Sequence, residues 1–237
     1  MSSFFETNAK ALADFARVSQ SVGARADYVQ GGGGNTSVKL ADGLMAIKAS
    51  GYCLKDIREN KAYAVLDYAS LRRFYLESNP KAKEYTLTID GLDALRPSVE
   101  AGFHSLLDTF VAHSHSVYAN LAACSKECAA IVEKALADAD YTWGIVPYTD
   151  PGARLTFSIR DELSRVEKET GRRPAAIFMI NHGLIAHSDD PDECLRIHSD
   201  VNARIAAAFG LASDAFPAVS VKPAENGLVE ADAPYLS

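Results

Sequence analysis

Short apolar runs alternate along this chain with longer segments whose apolar residues recur at helical spacing, and this alternation narrows the fold more than any other feature. AYAVLDY, FVAHSHS, YTWGIV, AAIFMI and LIAHS have the length and β-branched or aromatic content of strands, and NTSVKL and LMAIKAS read as two more around a turn at ADG. FFETNAKALADFARVSQSVG carries Phe5, Ala9, Leu12, Phe15, Ala16 and Val22 on one helical stripe, closed by Gly23. ASLRRFYLES is a second helix, and LRPSVEAGFHSLLDTF a third, starting near Ser98 with Pro97 blocking backward extension and Ser98 free to cap. VYANLAACSKECAAIVEKALADA is helical in one or two pieces, and ARLTFSIRDELSRVEKETG ends at Gly171. DPDECLRIHSDVNARIAAAFG has Pro191 in its first turn and Gly210 past its end. Residues 212–237, rich in Ala and Pro, are expected to be irregular. Without a repeat or a low-complexity linker, the pattern predicts one α/β domain over residues 1–237, with helices covering both faces of one sheet.

At 237 residues the chain can bury a substantial core, and 48% hydrophobic with 23% charged residues is ordinary for a soluble globular protein. A net charge of -7 disfavours a general nucleic-acid binder, which needs a basic face. A small anionic ligand stays open, because local dipoles and a metal outweigh net charge at short range. The start MSSFFETNAK lacks a basic, then apolar leader, and no apolar run nears the roughly 18 residues of a membrane span. The four scattered cysteines, Cys53, Cys124, Cys128 and Cys194, then suggest a cytoplasmic protein with reduced thiols and no membrane partner. Cys124 and Cys128, four apart, read as core residues of one helical face.

Chemistry concentrates in a few places. On a strand, His113 and His115 of VAHSHS point the same way, roughly 7 Å apart at the backbone, near enough for both imidazoles to lean onto one ion. The plainer reading is a polar strand face that happens to carry two histidines. His182 follows an apolar strand in the turn Asn181-His182-Gly183, where it either supplies a third ligand or simply caps a hairpin. Glu100, in the first turn of the helix after RPSVE, is either an anion stabilised by free amides or a general base aimed at the metal. His187, His104 and His198 are weaker candidates: His104, one turn after Glu100, either faces the site or, more simply, lies on the helix surface, and His198 reads as exposed. The run QGGGGNTSVKL is costly to order, so its backbone is either a tolerated surface loop or must approach something closely.

With GGGGNTSVK, KASG, RPSVE, HSH, VPYTDPG and NHGLI in this order, from Gly31 to about His187, the chain closely resembles the class II aldolase/adducin family. Better-known members include fuculose-phosphate and rhamnulose-phosphate aldolases, ribulose-phosphate 4-epimerases and methylthioribulose-phosphate dehydratases. The resemblance implies a three-layer αβα sandwich around a central mixed, mainly antiparallel sheet. It implies that Gly34, Asn35, Ser50 and Gly51, joined by Ser98, cradle a substrate phosphate. Glycine amides, hydroxyls and a helix N-terminus make physical sense of that cradle. Val99 departs from the pattern, standing where fuculose-phosphate aldolase has a second serine. Lys48 or Lys39 could compensate, although strand alternation could equally send both to solvent.

By the same resemblance, His113, His115 and His182 hold a divalent ion, Zn2+ or another such as Mn2+ or Co2+, and Glu100 moves the proton beside the ketone. Tyr148 matches a tyrosine that serves the aldehyde oxygen in a neighbouring subunit's site, against the plainer reading of a loop aromatic at an interface. The implied activity is that of a metal-dependent aldehyde-lyase, cleaving or joining a ketose phosphate or similar hydroxy-ketone through an enediolate. An epimerase or dehydratase on the same scaffold is the alternative, and a non-catalytic adducin-like binding module a more distant one. The implied partners are a small-molecule substrate and further copies of the chain, in a C4-symmetric homotetramer.

Overall fold

The computed structural model describes residues 3–77, 86–212 and 220–232. Helix α1 (Phe4–Gly23) opens with a capping box: Ser3 Oγ accepts from the Glu6 amide at 3.3 Å, and Glu6 Oε2 accepts from the Ser3 amide at 2.8 Å. Its stripe of Leu12, Phe15, Val18 and Val22 is buried. Phe15 alone contributes about 1.5–3 kcal/mol by leaving water. Gly23 is the last residue of the helix. A Cβ there would stand 2.5 Å from the Lys55 amide, so the glycine serves close packing against Leu54 and Lys55.

Strands β1 (Asn35–Lys39), β2 (Leu44–Lys48) and β3 (Tyr63–Asp67) follow, then α2 (Tyr68–Glu77), α3 (Ala101–Leu106) and β4 (Phe110–Ser114). Next come α4 (Val117–Ala123), α5 (Cys128–Ala135), β5 (Trp143–Val146), α6 (Ala153–Thr170), β6 (Ala176–Met179), β7 (Gly183–Ser188) and α7 (Pro191–Ala208). The sheet order is β3-β2-β1-β4-β7-β6-β5, antiparallel throughout except for the parallel pair β5/β6. Alternate side chains serve opposite layers. Val38, Ala46, Val65 and Ala112 pack with α1 and Cys194 of α7, whereas Met45, Ile47, Val111, Ile177 and Ile185 pack with α2, α3 and α6. Phe178, Leu184 and Ala186 complete the first side against α4, α5 and α7. Both faces are therefore covered, giving the mixed αβα sandwich. Edge strand β5 is blunted by Glu162, whose Oε1 accepts from the Ile145 amide at 2.7 Å above the bare Cα of Gly144.

Several expectations need correction. The third helix starts at Ala101 rather than near Ser98; Ser98 to Glu100 form a turn, with the Ala101 amide donating to the Ser98 carbonyl at 3.1 Å. Glu100 therefore occupies the N-cap position and not the first turn. Strand β4 ends at Ser114, so His115 lies just beyond it. Cys124 is exposed and Cys128 buried, and they flank a break between α4 and α5 instead of sharing one helical face. Residues 220–232, expected to be irregular, carry a hairpin of β8 (Ser220–Pro223) and β9 (Val229–Asp232). The rest of the expected tail, 213–219 and 233–237, lies outside the described residues. No described helix is long and apolar enough to cross a membrane.

Candidate active site

Adjacent strand ends bring the titratable groups together. Strand β4 places His113 opposite Asn35 of β1, and the turn into β7 places His182 beside them. Ring centroids of His113, His115 and His182 lie 4.9, 5.0 and 5.1 Å apart pairwise, with one potential ligand atom of each within 4.8 Å of the others. Among the described residues no other group of His, Cys, Asp or Glu gathers in this way. The closeness needs glycine: a Cβ on Gly183 would meet the Ser114 carbonyl oxygen at 2.3 Å.

The donor set suits a divalent ion. The Nδ1–H of His113 donates to the Leu184 carbonyl at 3.0 Å, which leaves the Nε2 lone pair free, and that buried atom has no hydrogen-bond partner. Burial, then neighbouring His115, holds His113 down to about 3, and burial, then His113, holds His182 down to about 4. Burial lowers His115 as well. All three imidazoles are thus neutral at pH 7, the state in which they ligate metal. Glu100, 6% exposed, sits beside them. Its Oε1 is 3.3 Å from His182 Nε2 and its Oε2 3.6 Å from His113 Nε2, yet Oε1 is buried without a hydrogen bond.

A chain of buried hydrogen bonds fixes the other carboxylate oxygen. Asn35 Nδ2 donates to Glu100 Oε2 at 2.5 Å and to Ser98 Oγ at 3.1 Å. With its amide so oriented, Oδ1 must accept from the Nε2–H of His104, whose Nδ1 then accepts from the Ser37 hydroxyl at 2.7 Å. His104 is fully buried, and burial, reinforced by His113 and Lys39, keeps it well below its usual pKa. The helix-surface expectation for His104 is therefore wrong. A signal was available: His104 lies one turn after Glu100, and Ser37 shares a strand face with Asn35.

Next to this cluster is a cavity of about 230 Å3 lined by Gly32, Gly33, Gly34, Asn35, Lys48, Ser50, Gly51, Ser98, Val99, Glu100 and His115. The glycine run passes tightly here: a Cβ on Gly33 would stand 3.0 Å from His115 Nδ1, and one on Gly34, at φ +67, 2.7 Å from the His113 carbonyl oxygen. Of the two lysines only Lys48 lines the cavity. It is 4% exposed and donates to the carbonyls of Gly32 at 3.2 Å and Tyr52 at 2.8 Å. Lys39 instead donates to the carbonyls of His104, Leu107 and Asp108 at the C-terminus of α3, where a cation suits the helix dipole. Ser50 Oγ donates to the Pro97 carbonyl at 3.1 Å.

Tyr148 is 58% exposed on the loop between β5 and α6 and does not line the cavity. His187 is paired with Asp108 at 2.8 Å, away from the cluster. His198, expected on the surface, is buried under Tyr28 and bonded to Ser114 Oγ at 2.7 Å.

The fold recurs among solved structures. The N-terminal class II aldolase domain of a conserved protein from Thermoplasma acidophilum is similar, with a TM-score of 0.64, 23% identity, and coverage of 83% of this chain and 92% of that one. A sugar-phosphate aldolase from Thermotoga maritima gives a TM-score of 0.61 at 14% identity, over 85% of this chain and 97% of that one. An L-fuculose-1-phosphate aldolase from Thermus thermophilus gives 0.55 at 15%, over 85% and 93%. At such identities the likeness concerns the fold. No curated protein sequence matches the chain. The sequence profile of the Class II Aldolase and Adducin N-terminal domain, however, matches residues 13–207. The chain belongs to the class II aldolase and adducin family.

Proposed function

We propose that the protein is a divalent-metal-dependent aldehyde-lyase that cleaves a ketose phosphate, or joins its fragments, by retro-aldol and aldol chemistry. One observation carries the reading. Three neutral imidazoles gather beside a buried carboxylate with one unpaired oxygen, and that carboxylate and His115 line a cavity shared with Gly32, Gly33, Gly34 and Lys48. His113, His115 and His182 would hold the ion, most simply zinc, which when bound supplies the Lewis acidity that stabilises an enediolate. Glu100 Oε1 is the oxygen free to take the proton from the carbon beside the ketone in the aldol direction and to return it after cleavage. Asn35 holds Oε2, so the free oxygen keeps its aim.

Gly32, Gly34, Gly51, Ser50 and Ser98 line the space that would take a phosphate, and the Lys48 ammonium would supply the charge. Lys48 thereby offsets the donor lost at Val99, which lines the same cavity. Tyr148 lies on an exposed loop outside its own chain's cavity, which suits action in a neighbouring subunit of a homotetramer. The metal ligands and Glu100 are all present, which speaks against a purely structural module.

Purified protein supplied with Zn2+ should be assayed against ketose phosphates and the matching free ketoses, with aldehyde release read directly. Cleavage of a phosphorylated ketose, weaker on the free sugar, is expected. Epimerised or dehydrated product without carbon-carbon cleavage would overturn the lyase assignment in favour of its nearest relatives. Equal turnover of both substrate sets would overturn the phosphate cradle.

A further inference from the structure

His115 has a structural problem that the strand does not solve. The last ladder pairs of β4 are Asn35↔His113 on one side and Ser114↔Leu184 on the other, so the backbone at His115 has no strand partner. The residues on either side of it are clamped instead. Ser114 Oγ is 2.7 Å from His198 Nε2, and Ser116 Oγ donates to Asn202 Oδ1 at 2.5 Å. His198 and Asn202 are one turn apart on α7, and both are fully buried.

The clamp is preset by its own helix. Asn202 Nδ2 donates to the His198 carbonyl at 2.7 Å, so the amide presents Oδ1 to Ser116 and cannot flip without losing both bonds. The Tyr28 and His198 rings pack edge to face, 4.8 Å apart centroid to centroid. Ser114 and Ser116 thus contact α7, while His113 and His115 gather with His182.

We propose that His198 and Asn202 are positioning residues of the metal centre, gripping Ser114 and Ser116 so that His113 and His115 stay on one ion. The proposal rests on the reading of the three histidines as ligands. Side chains that orient ligands in this way typically change metal affinity roughly 10–100-fold when removed.

The test uses Co2+ alone, titrated into the full chain and read by the visible absorption of the bound ion. Ser116→Ala and Asn202→Ala should weaken Co2+ binding roughly 10–100-fold and alter the spectrum, while circular dichroism and cooperative unfolding show an intact fold. His198→Ala should do the same, and His198→Gln, which keeps a donor near Nε2, should recover much of the affinity. Cys194→Ala, one turn earlier on α7 and also fully buried, should leave affinity within about threefold. Ser116→Ala is the smallest change and keeps the test usable if the larger variants fail to fold. Folded Ser116→Ala and Asn202→Ala proteins that bind Co2+ as the wild type does would overturn the proposal, as would an equal loss in Cys194→Ala. No uptake of Co2+ by the wild-type chain would overturn the ligand reading itself, a failure visible before any variant is made.

Discussion

Replacing Asn35 by alanine should lower both stability and turnover. Its side chain makes three hydrogen bonds, two of them buried: to the Glu100 carboxylate and from His104, with a third to Ser98. The substitution leaves a buried carboxylate oxygen and a buried imidazole N–H without partners, for a combined cost of about 3 kcal/mol. For a chain of this length that corresponds to a fall in Tm of roughly 6–12 °C at fixed protein concentration. Both amide hydrogens of Asn35 are already spent inside the protein, so it has no side-chain donor left for a phosphate. The kinetic effect should therefore fall on kcat, through a poorly held Glu100, with little change in KM. Thermal unfolding and steady-state kinetics on a phosphorylated ketose test both halves. An Asn35→Ala protein that melts within about 2 °C of the wild type and shows only a raised KM would refute the reasoning and make Asn35 a direct phosphate ligand.

Acid should destabilise the fold early. Burial holds His198 down to about 3 and His104 well below its usual range, so the unfolded chain takes up protons that the folded one refuses. Stability is then full above about pH 6.5 and falls toward each folded pKa, by up to about 1.4 kcal/mol per pH unit for each such group. Urea unfolding at pH 7 and pH 5 measures this, and His198→Gln should flatten the slope by one group's share. Gly34→Ala should destabilise by about 2 kcal/mol or more, because φ is +67 and the added Cβ would press on the His113 carbonyl; denaturant midpoints give the number. Mixing inactive Glu100→Gln with inactive Tyr148→Phe subunits under exchange should restore some activity, since some sites receive both intact residues; confirmed exchange without recovery would exclude Tyr148 from a neighbour's site.

Much of this was legible in the sequence because its signals were local. Pro191 and Gly171 mark helix ends through backbone chemistry that acts within a turn. Apolar periodicity gave the strands of the main sheet, since both faces are buried. The three clustered histidines were visible as HSH and NHG, although the geometry differs: His115 lies beyond the strand, between two serines bonded to α7. What stayed hidden was long-range. Nothing near His198 reveals that it lies under Tyr28 against Ser114, 84 residues earlier, and its charged neighbours suggested solvent. His104 was misread for the same reason, its partners Ser37 and Asn35 being 67 and 69 residues away. Lys39 and Lys48 could not be told apart until the α3 carbonyls claimed one of them.

Metal content of the purified protein tests the central claim most directly. Elemental analysis of wild-type protein after loading and removal of free ion should find about one divalent ion per chain, and His113→Ala and His182→Ala should each lose it while remaining folded. Full occupancy in both variants would contradict the three-histidine centre, and with it the chemistry built on Glu100.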